Sequence, residues 1–159
     1  MLKYTDYDIV FSEIPGEVTL AINLSLCPNR CEGCHSPQLR LDIGEVLTRE
    51  VLSALIERFI PGITCVSFMG GDNDPWALAA LASSTRQAFP TLKLAWYSGC
   101  AELPLGMEPQ TWDFIKLGPY IPACGSLRKP TTNQHFYKIG SDGSMSDITS
   151  IFWSGGAKG

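Results

Sequence analysis

The sequence lacks several features that would assign it to common classes of protein. Its 12 lysine and arginine residues are outnumbered by 16 aspartate and glutamate residues, giving a net charge of −4, which argues against a general nucleic-acid binder. The sequence contains no run of about 18 apolar residues, which a membrane span would require. Its N-terminal residues lack the apolar region of a signal peptide. We therefore expect a cytoplasmic protein with no nucleic-acid and no membrane partner.

The chain is long enough and apolar enough to fold without disulfide bonds. It has 159 residues, of which 45% are hydrophobic, and this length is typical of one domain. We expect a single domain over residues 1–153 and a flexible tail over residues 154–159, where half of the residues are glycine. The six cysteines are expected to be reduced, as is usual in the cytoplasm.

Three of the cysteines form a short cluster with no fourth cysteine beside it. Cys27, Cys31 and Cys34 have the spacing C-x3-C-x2-C, and the next cysteine is Cys65 in an apolar run. Structural zinc sites take four protein ligands, and an ordinary 4Fe–4S cluster takes four thiolates. Three thiolates would leave one iron open to a small molecule. A zinc site that uses His35 as fourth ligand, or a set of redox thiols, remains an alternative.

Apolar segments alternate with helical patterns, which predicts parallel strands joined by right-handed crossovers. A strand or ordered arm is predicted near residues 7–11, and strands over residues 17–26, 63–69, 92–97, 114–117 and 135–139. One helix is predicted from Thr48 to Phe59, and a second begins with Asp74 as its cap and Pro75 in its first turn. The predicted fold class is α/β. The units are too few for a closed eight-stranded barrel, which favours an open partial (β/α) barrel with a mostly parallel sheet.

Small and polar residues follow the predicted strands, at the edge where parallel α/β folds bind ligands. Gly70 and Gly71 allow a ligand to approach the backbone, and Asp72 could accept hydrogen bonds from an ammonium group. A plain turn with Asp72 as a helix cap is the alternative. Ser98 could bond a ligand or be a turn serine. Lys116 could point inward to pair with a carboxylate or outward to water.

The cysteine spacing resembles the signature of the radical S-adenosylmethionine (SAM) superfamily. Within it, the flanking motifs are similar to those of the activating proteins of anaerobic ribonucleoside-triphosphate reductases, over about Tyr4 to Trp153. The motifs are Asn23–Gln38, Phe68–Asp72, Trp96–Gly99, Ile115–Tyr120 and Thr131–Gln134.

The resemblance implies a radical SAM fold, a set of cofactors and a partner. Cys27, Cys31 and Cys34 would hold a 4Fe–4S cluster whose open iron binds SAM. Reduced flavodoxin or ferredoxin would supply one electron to cleave SAM, and the 5′-deoxyadenosyl radical would remove hydrogen from a glycine of the reductase. The Gly-Gly-Asp turn would contact the SAM amino group, with Asp72 in place of the usual glutamate.

One position departs from the superfamily pattern. Gly33 precedes the third cysteine, where the superfamily usually has an aromatic residue that packs on the SAM adenine. His35 or the backbone would then contact the adenine. Two other functions remain open: a small radical SAM enzyme that acts on a small molecule, similar to a deazapurine synthase, and a non-enzymatic metal-binding module. Cys65 is expected in the core, and Cys100 and Cys124 have no assigned role.

Overall fold

The computed structural model describes residues 2–25 and 41–153. The strands are β1 (Lys3–Val10), β2 (Thr19–Leu24), β3 (Glu45–Val46), β4 (Cys65–Met69), β5 (Lys93–Tyr97), β6 (Phe114–Leu117), β7 (His135–Ile139) and β8 (Met145–Asp147). The helices are α1 (Arg49–Glu57) and α2 (Pro75–Ala88), with 3₁₀ turns at Pro109–Thr111 and Thr149–Phe152. The cysteine segment and the predicted C-terminal tail lie outside the described residues.

The eight strands of the described residues form one sheet in the order β3-β1-β2-β4-β5-β6-β7-β8. The four central strands, β2, β4, β5 and β6, are parallel, and the flanking strands pair antiparallel. The expectation of a mostly parallel sheet therefore holds only for the centre. Short connections, such as residues 140–144 between β7 and β8, permit antiparallel pairing, whereas parallel pairing requires a longer crossover. The mixed α/β class is confirmed, and the partial barrel stays a prediction.

Both helices begin where the sequence predicts. The hydroxyl of Thr48 accepts a 3.1 Å hydrogen bond from the amide of Val51, and the carboxylate of Asp74 accepts one of 3.3 Å from the amide of Ala77. Such caps satisfy amide groups that have no partner within the first helical turn. Pro75 occupies the first turn of α2, where its missing N–H costs nothing. Neither helix has the length and apolar composition of a membrane span, within the described ranges.

The two helices bury their apolar stripes on one face of the sheet. Leu52, Leu55 and Ile56 of α1 and Leu78 and Ala82 of α2 belong to one core cluster with sheet residues such as Leu20, Ile22, Phe68 and Trp96. Trp96 stacks on Trp112, with ring centroids 5.4 Å apart. This helix-covered face holds the larger apolar core, and burying such side chains stabilises the fold.

The opposite face of the sheet carries a second, smaller core. Phe136 stacks on Phe114 with ring centroids 5.6 Å apart, and Phe152 packs edge-on against Phe136 at 5.0 Å. Cys65 belongs to this cluster and has no solvent exposure, so its predicted place in the core is confirmed. Burial raises the pKa of the Cys65 thiol to about 12, because the low-dielectric interior disfavours a thiolate.

Both ends of the cysteine segment adjoin β1. The amide of Ser25 donates a 2.9 Å hydrogen bond to the carbonyl of Lys3, and its hydroxyl donates one of 2.6 Å to the carbonyl of Ile43. Just beyond Ile43, β3 pairs with β1, placing Val46 opposite Lys3. The residues that precede and follow the cysteine segment are therefore held beside each other at one edge of the sheet.

Candidate functional site

The carboxyl ends of the parallel strands bring together the predicted site residues that the structure describes. The amide of Gly70, after β4, donates a 3.1 Å hydrogen bond to the carbonyl of Tyr97, and the amide of Ser98, after β5, donates one of 2.9 Å to the carbonyl of Lys116 in β6. These bonds join three neighbouring strand ends into one rim. Cys27, Cys31, Cys34 and His35 lie outside the described residues, so their roles stay predictions.

The two glycines after β4 are required by the turn itself. Gly70 and Gly71 have φ angles of +116° and +96°, and residues other than glycine rarely adopt this backbone region. A Cβ on Gly71 would lie 2.8 Å from Cδ2 of Leu78 and 3.1 Å from Cδ1 of Leu24. The close packing thus involves strand β2 and helix α2, and a close approach by a ligand stays a prediction.

Asp72 connects the turn after β4 to the turn after β5. Its Oδ1 accepts a 2.6 Å hydrogen bond from the hydroxyl of Ser98, and its Oδ2 accepts one of 2.8 Å from the amide of Gly99. The alternative role of Asp72 as a helix cap is wrong, because Asp74 caps α2. The Asp72 carboxylate is therefore held at the rim by hydrogen bonds from the turn after β5, and its contact with a ligand stays a prediction.

The side chain of Ser98 makes its hydrogen bonds to other groups of the protein. Its side chain is buried, and its oxygen accepts a 3.0 Å hydrogen bond from the amide of Cys100 while its hydroxyl donates to Asp72. Ser98 therefore orients the Asp72 carboxylate. The alternative of a turn serine is confirmed by the bond to the amide of Cys100, and the residue also positions a charged neighbour. Its direct contact with a ligand stays a prediction.

Lys116 points into the protein. It is only 8% exposed, its ammonium donates a 3.0 Å hydrogen bond to the carbonyl of Gly118, and it lies 5.8 Å from the ring centroid of Tyr97. The alternative of an edge lysine pointing to water is wrong. A lysine side chain is seldom fully buried unless its charge is paired. At this rim the ammonium would attract an anionic group, and its binding to SAM stays a prediction.

The cysteines outside the cluster motif are free thiols in three different environments. Cys65 is buried, Cys100 is exposed and Cys124 is half-buried. Over residues 2–25 and 41–153, no group of three or more histidine, cysteine, aspartate or glutamate side chains is arranged to hold a metal ion. Metal binding by Cys27, Cys31 and Cys34 rests on their sequence spacing.

The sequence did not predict a cavity that Tyr97 helps to line. The cavity has a volume of about 240 Å³, and Tyr97, Tyr120 and Gln134 are among its lining residues. One signal was present in the sequence: the Thr131–Gln134 motif, to which no role was assigned. In the structure, Asn133 of this motif donates a 2.9 Å hydrogen bond to the carbonyl of Pro119. The motif therefore fixes the connection between β6 and β7 beside the rim.

Comparison with protein families identifies the class of cofactor. Residues 15–120 match the family model described as the 4Fe-4S single cluster domain. The match covers more than half of the chain and includes the three clustered cysteines, the Gly-Gly-Asp turn, Ser98 and Lys116. Searches of curated proteins and of solved structures found no match. The chain belongs to the 4Fe–4S single-cluster domain family.

Proposed function

We propose that this protein is a radical SAM activase that generates a glycyl radical on an anaerobic ribonucleoside-triphosphate reductase. The observation that carries the proposal is the convergence of Asp72, Ser98 and Lys116 on the strand edge from which the cysteine segment departs. Family membership supports a 4Fe–4S cluster. The sequence spacing supports Cys27, Cys31 and Cys34 as its ligands, leaving one iron open.

The charges at the rim fit the amino-acid part of SAM. The ammonium group of SAM requires an acceptor, and Asp72 presents a carboxylate held in place by Ser98 and Gly99. The carboxylate of SAM requires a cation, and Lys116 presents a buried ammonium on the neighbouring strand. Hydrogen bonds to charged groups are each worth about 1.5–3 kcal/mol. The two side chains would therefore orient SAM as well as bind it.

The chemistry belongs to the cofactors, and the chain positions them. A bound 4Fe–4S cluster would supply one electron for the cleavage of SAM to methionine and a 5′-deoxyadenosyl radical, and that radical would remove a hydrogen atom from a glycine of the partner to give 5′-deoxyadenosine. The electron would come from reduced flavodoxin or ferredoxin in the cytoplasm. Ser98 and Lys116 are themselves buried, and charge interactions are stronger in a buried, low-dielectric environment than in water.

An open sheet supports a protein substrate. The described strands end at β3 on one side and β8 on the other, and these two strands do not pair with each other. A closed (β/α)₈ barrel typically requires about 250 residues, whereas this chain has 159. Hydrogen abstraction requires near-contact geometry, so a flexible glycine segment of the reductase would enter from the open side.

The decisive experiment looks for the radical on the partner. Iron-loaded protein, SAM, a reductant and the reductase are mixed without oxygen, and the paramagnetic resonance spectrum should show a glycine-centred doublet. Deuterium placed on the target glycine Cα should appear in 5′-deoxyadenosine. The matched controls are the Cys31→Ala variant and a reductase whose target glycine is replaced by alanine, and neither should give the doublet.

Two outcomes would contradict the proposal. Deuterium transfer from a small purine substrate without a protein radical would favour the small-molecule enzyme, similar to a deazapurine synthase. Iron binding without any SAM cleavage, under conditions in which the cluster is reduced, would favour a non-enzymatic metal-binding module.

A further inference from the structure

Hydrogen bonds fix three successive peptide units of the Gly-Gly-Asp turn. The amide of Gly70 donates a 3.1 Å hydrogen bond to the carbonyl of Tyr97, and the carbonyl of Gly71 accepts one of 3.1 Å from the amide of Asp74. Between them, the carbonyl of Gly70 accepts a 2.8 Å hydrogen bond from the indole N–H of Trp96. The peptide unit that the two glycines share is therefore oriented by a side chain.

This shared peptide unit has little steric resistance to turning over. Neither Gly70 nor Gly71 has a Cβ, and glycine adopts positive and negative φ angles about equally well. A trans peptide unit is planar, so its carbonyl and its N–H point in opposite directions. The bond from Trp96 selects the orientation in which the carbonyl of Gly70 faces the indole and the N–H of Gly71 points away from it.

The indole of Trp96 is itself held in place by its neighbours. Trp96 is 1% exposed and stacks on Trp112, with ring centroids 5.4 Å apart and an angle of 29° between the planes. Trp112 packs edge-on against Phe68 at 5.9 Å. Protein interiors are packed too closely for such a ring to change direction without displacing its neighbours. The donor to Gly70 therefore has a fixed direction.

The two stacked indoles differ in what their N–H groups do. Both tryptophans are 1% exposed, and each belongs to the larger apolar core. Trp96 donates to the carbonyl of Gly70, whereas Nε1 of Trp112 has no hydrogen-bond partner within the described part of the chain. Burial and stacking are thus common to both rings, and the bond to the turn belongs to Trp96.

We propose that Trp96 is a positioning residue for the candidate site. Asp72 directly follows the shared peptide unit, and its carboxylate accepts hydrogen bonds of 2.6 Å and 2.8 Å from Ser98 and Gly99. A fixed peptide unit keeps the backbone of Asp72 where its carboxylate can reach the turn after β5. Trp96 thus acts on the rim from the helix-covered face, through the turn. The ligand that benefits is the SAM of the proposed function, on which this inference rests.

The test compares Trp96→Phe with its matched control Trp112→Phe in the iron-loaded protein. Each change shortens one of the two stacked rings, so both variants should lose thermal stability to a similar extent. SAM affinity, measured by equilibrium dialysis without oxygen, should fall about fivefold in Trp96→Phe because one hydrogen bond is lost. It should stay near the wild-type value in Trp112→Phe. Equal SAM affinities in the two variants would overturn the proposal.

A second variant removes the donor and keeps the shape of the core. Trp96 is replaced by benzothienylalanine, in which a sulfur atom takes the place of the indole N–H. The fused ring still fills its place beside Trp112, so this variant should fold even if Trp96→Phe does not. It should show the same loss of SAM affinity. An affinity equal to that of wild type would show that Trp96 serves packing alone.

Hydrogen exchange distinguishes failure of this inference from failure of the proposed function. In iron-loaded protein without SAM, the amides of residues 71–74 should exchange faster in both Trp96 variants than in Trp112→Phe, because the turn is held less firmly. If wild-type protein binds no SAM but the exchange rates differ in this way, the proposed function fails and the hold of Trp96 on the turn is supported. If wild-type protein binds SAM and the Trp96 variants change neither exchange nor affinity, the positioning role is overturned.

Discussion

Ser98 donates a hydrogen bond of 2.6 Å to the carboxylate of Asp72, although 26 positions separate them in the chain. The bond joins the turn after β4 to the turn after β5. A carboxylate held from the side in this way loses rotational freedom before any ligand arrives, and such preorganisation reduces the entropic cost of binding. Ser98 is therefore a positioning residue for Asp72.

The first prediction concerns SAM affinity. Asp72→Ala should weaken SAM binding by roughly tenfold to a hundredfold, because a hydrogen bond to a charged group is worth about 1.5–3 kcal/mol. Ser98→Ala should have a smaller effect in the same direction. The measurement is equilibrium dialysis with the iron-loaded protein, accompanied by iron analysis and thermal unfolding.

The matched control is Asp142→Ala, since Asp142 is exposed and its carboxylate accepts a 3.0 Å hydrogen bond from the amide of Ser144 in its own turn. It should bind SAM as wild type does. Normal SAM affinity in Asp72→Ala would show that the carboxylate serves the two turns alone.

The second prediction concerns the cluster ligands. Protein reconstituted without oxygen should contain about four irons and four sulfides per chain. Changing Cys27, Cys31 or Cys34 to alanine should remove the paramagnetic resonance signal of the reduced cluster, because each variant lacks one of three thiolates.

The remaining cysteines form the internal control for that experiment. A variant with Cys65, Cys100 and Cys124 all changed to alanine should keep its iron content, because these thiols lie in three separate environments. Loss of iron from this variant, if it retains its secondary structure, would identify a fourth protein ligand. Zinc without iron in wild-type protein prepared without oxygen would contradict the cluster itself.

The third prediction concerns thiol reactivity. At pH 8, iodoacetamide should modify Cys100 well before Cys65, as followed by mass spectrometry of peptides. Cys100 is exposed and Cys65 is buried, and burial raises the pKa of Cys65 to about 12, so the reactive thiolate is nearly absent there. In denaturant the difference should disappear. Equal rates in the folded protein would mean that the smaller core opens readily.

The fourth prediction separates backbone strain from packing at two glycines. Gly71→Ala should lower the free energy of unfolding by more than Gly16→Ala. Both residues have positive φ angles, +96° and +85°, but an added Cβ meets Leu78 at 2.8 Å in the first case and nothing within 4 Å in the second. Backbone strain of this kind costs about 1–3 kcal/mol, and the clash adds to it at Gly71. Equal losses in denaturant unfolding would contradict the packing argument.

Local signals in the sequence predicted the central fold well. The caps at Thr48 and Asp74 and the apolar runs of β4, β5 and β6 are properties of adjacent residues, and the structure confirms them. β3 and β8 were not predicted. They contain only two and three residues, too few for a periodic pattern, and they form by pairing with neighbours that are distant in sequence or by a short hairpin.

The sequence predicted which described residues lie at the candidate site. It did not predict the hydrogen bonds between them or the directions of their side chains. Gly70, Gly71, Asp72, Ser98 and Lys116 could be placed at one edge because they follow or end parallel strands. The bond from Ser98 to Asp72 and the inward direction of Lys116 depend on strand register and on which face is covered. The cavity beside Tyr97 depends on how the connection after β6 folds back, and the Thr131–Gln134 motif that fixes this connection does not by itself specify its path.

The anchoring of Ser25 to Lys3 and Ile43 has a thermodynamic consequence for cofactor loading. Bringing two distant points of a chain together costs loop-closure entropy, and here the sheet has already brought the ends of the cysteine segment together. The thiolates would then meet iron at a high effective concentration. Ser25→Ala, which weakens that closure without altering a cysteine, would shift the equilibrium between loaded and empty protein toward empty.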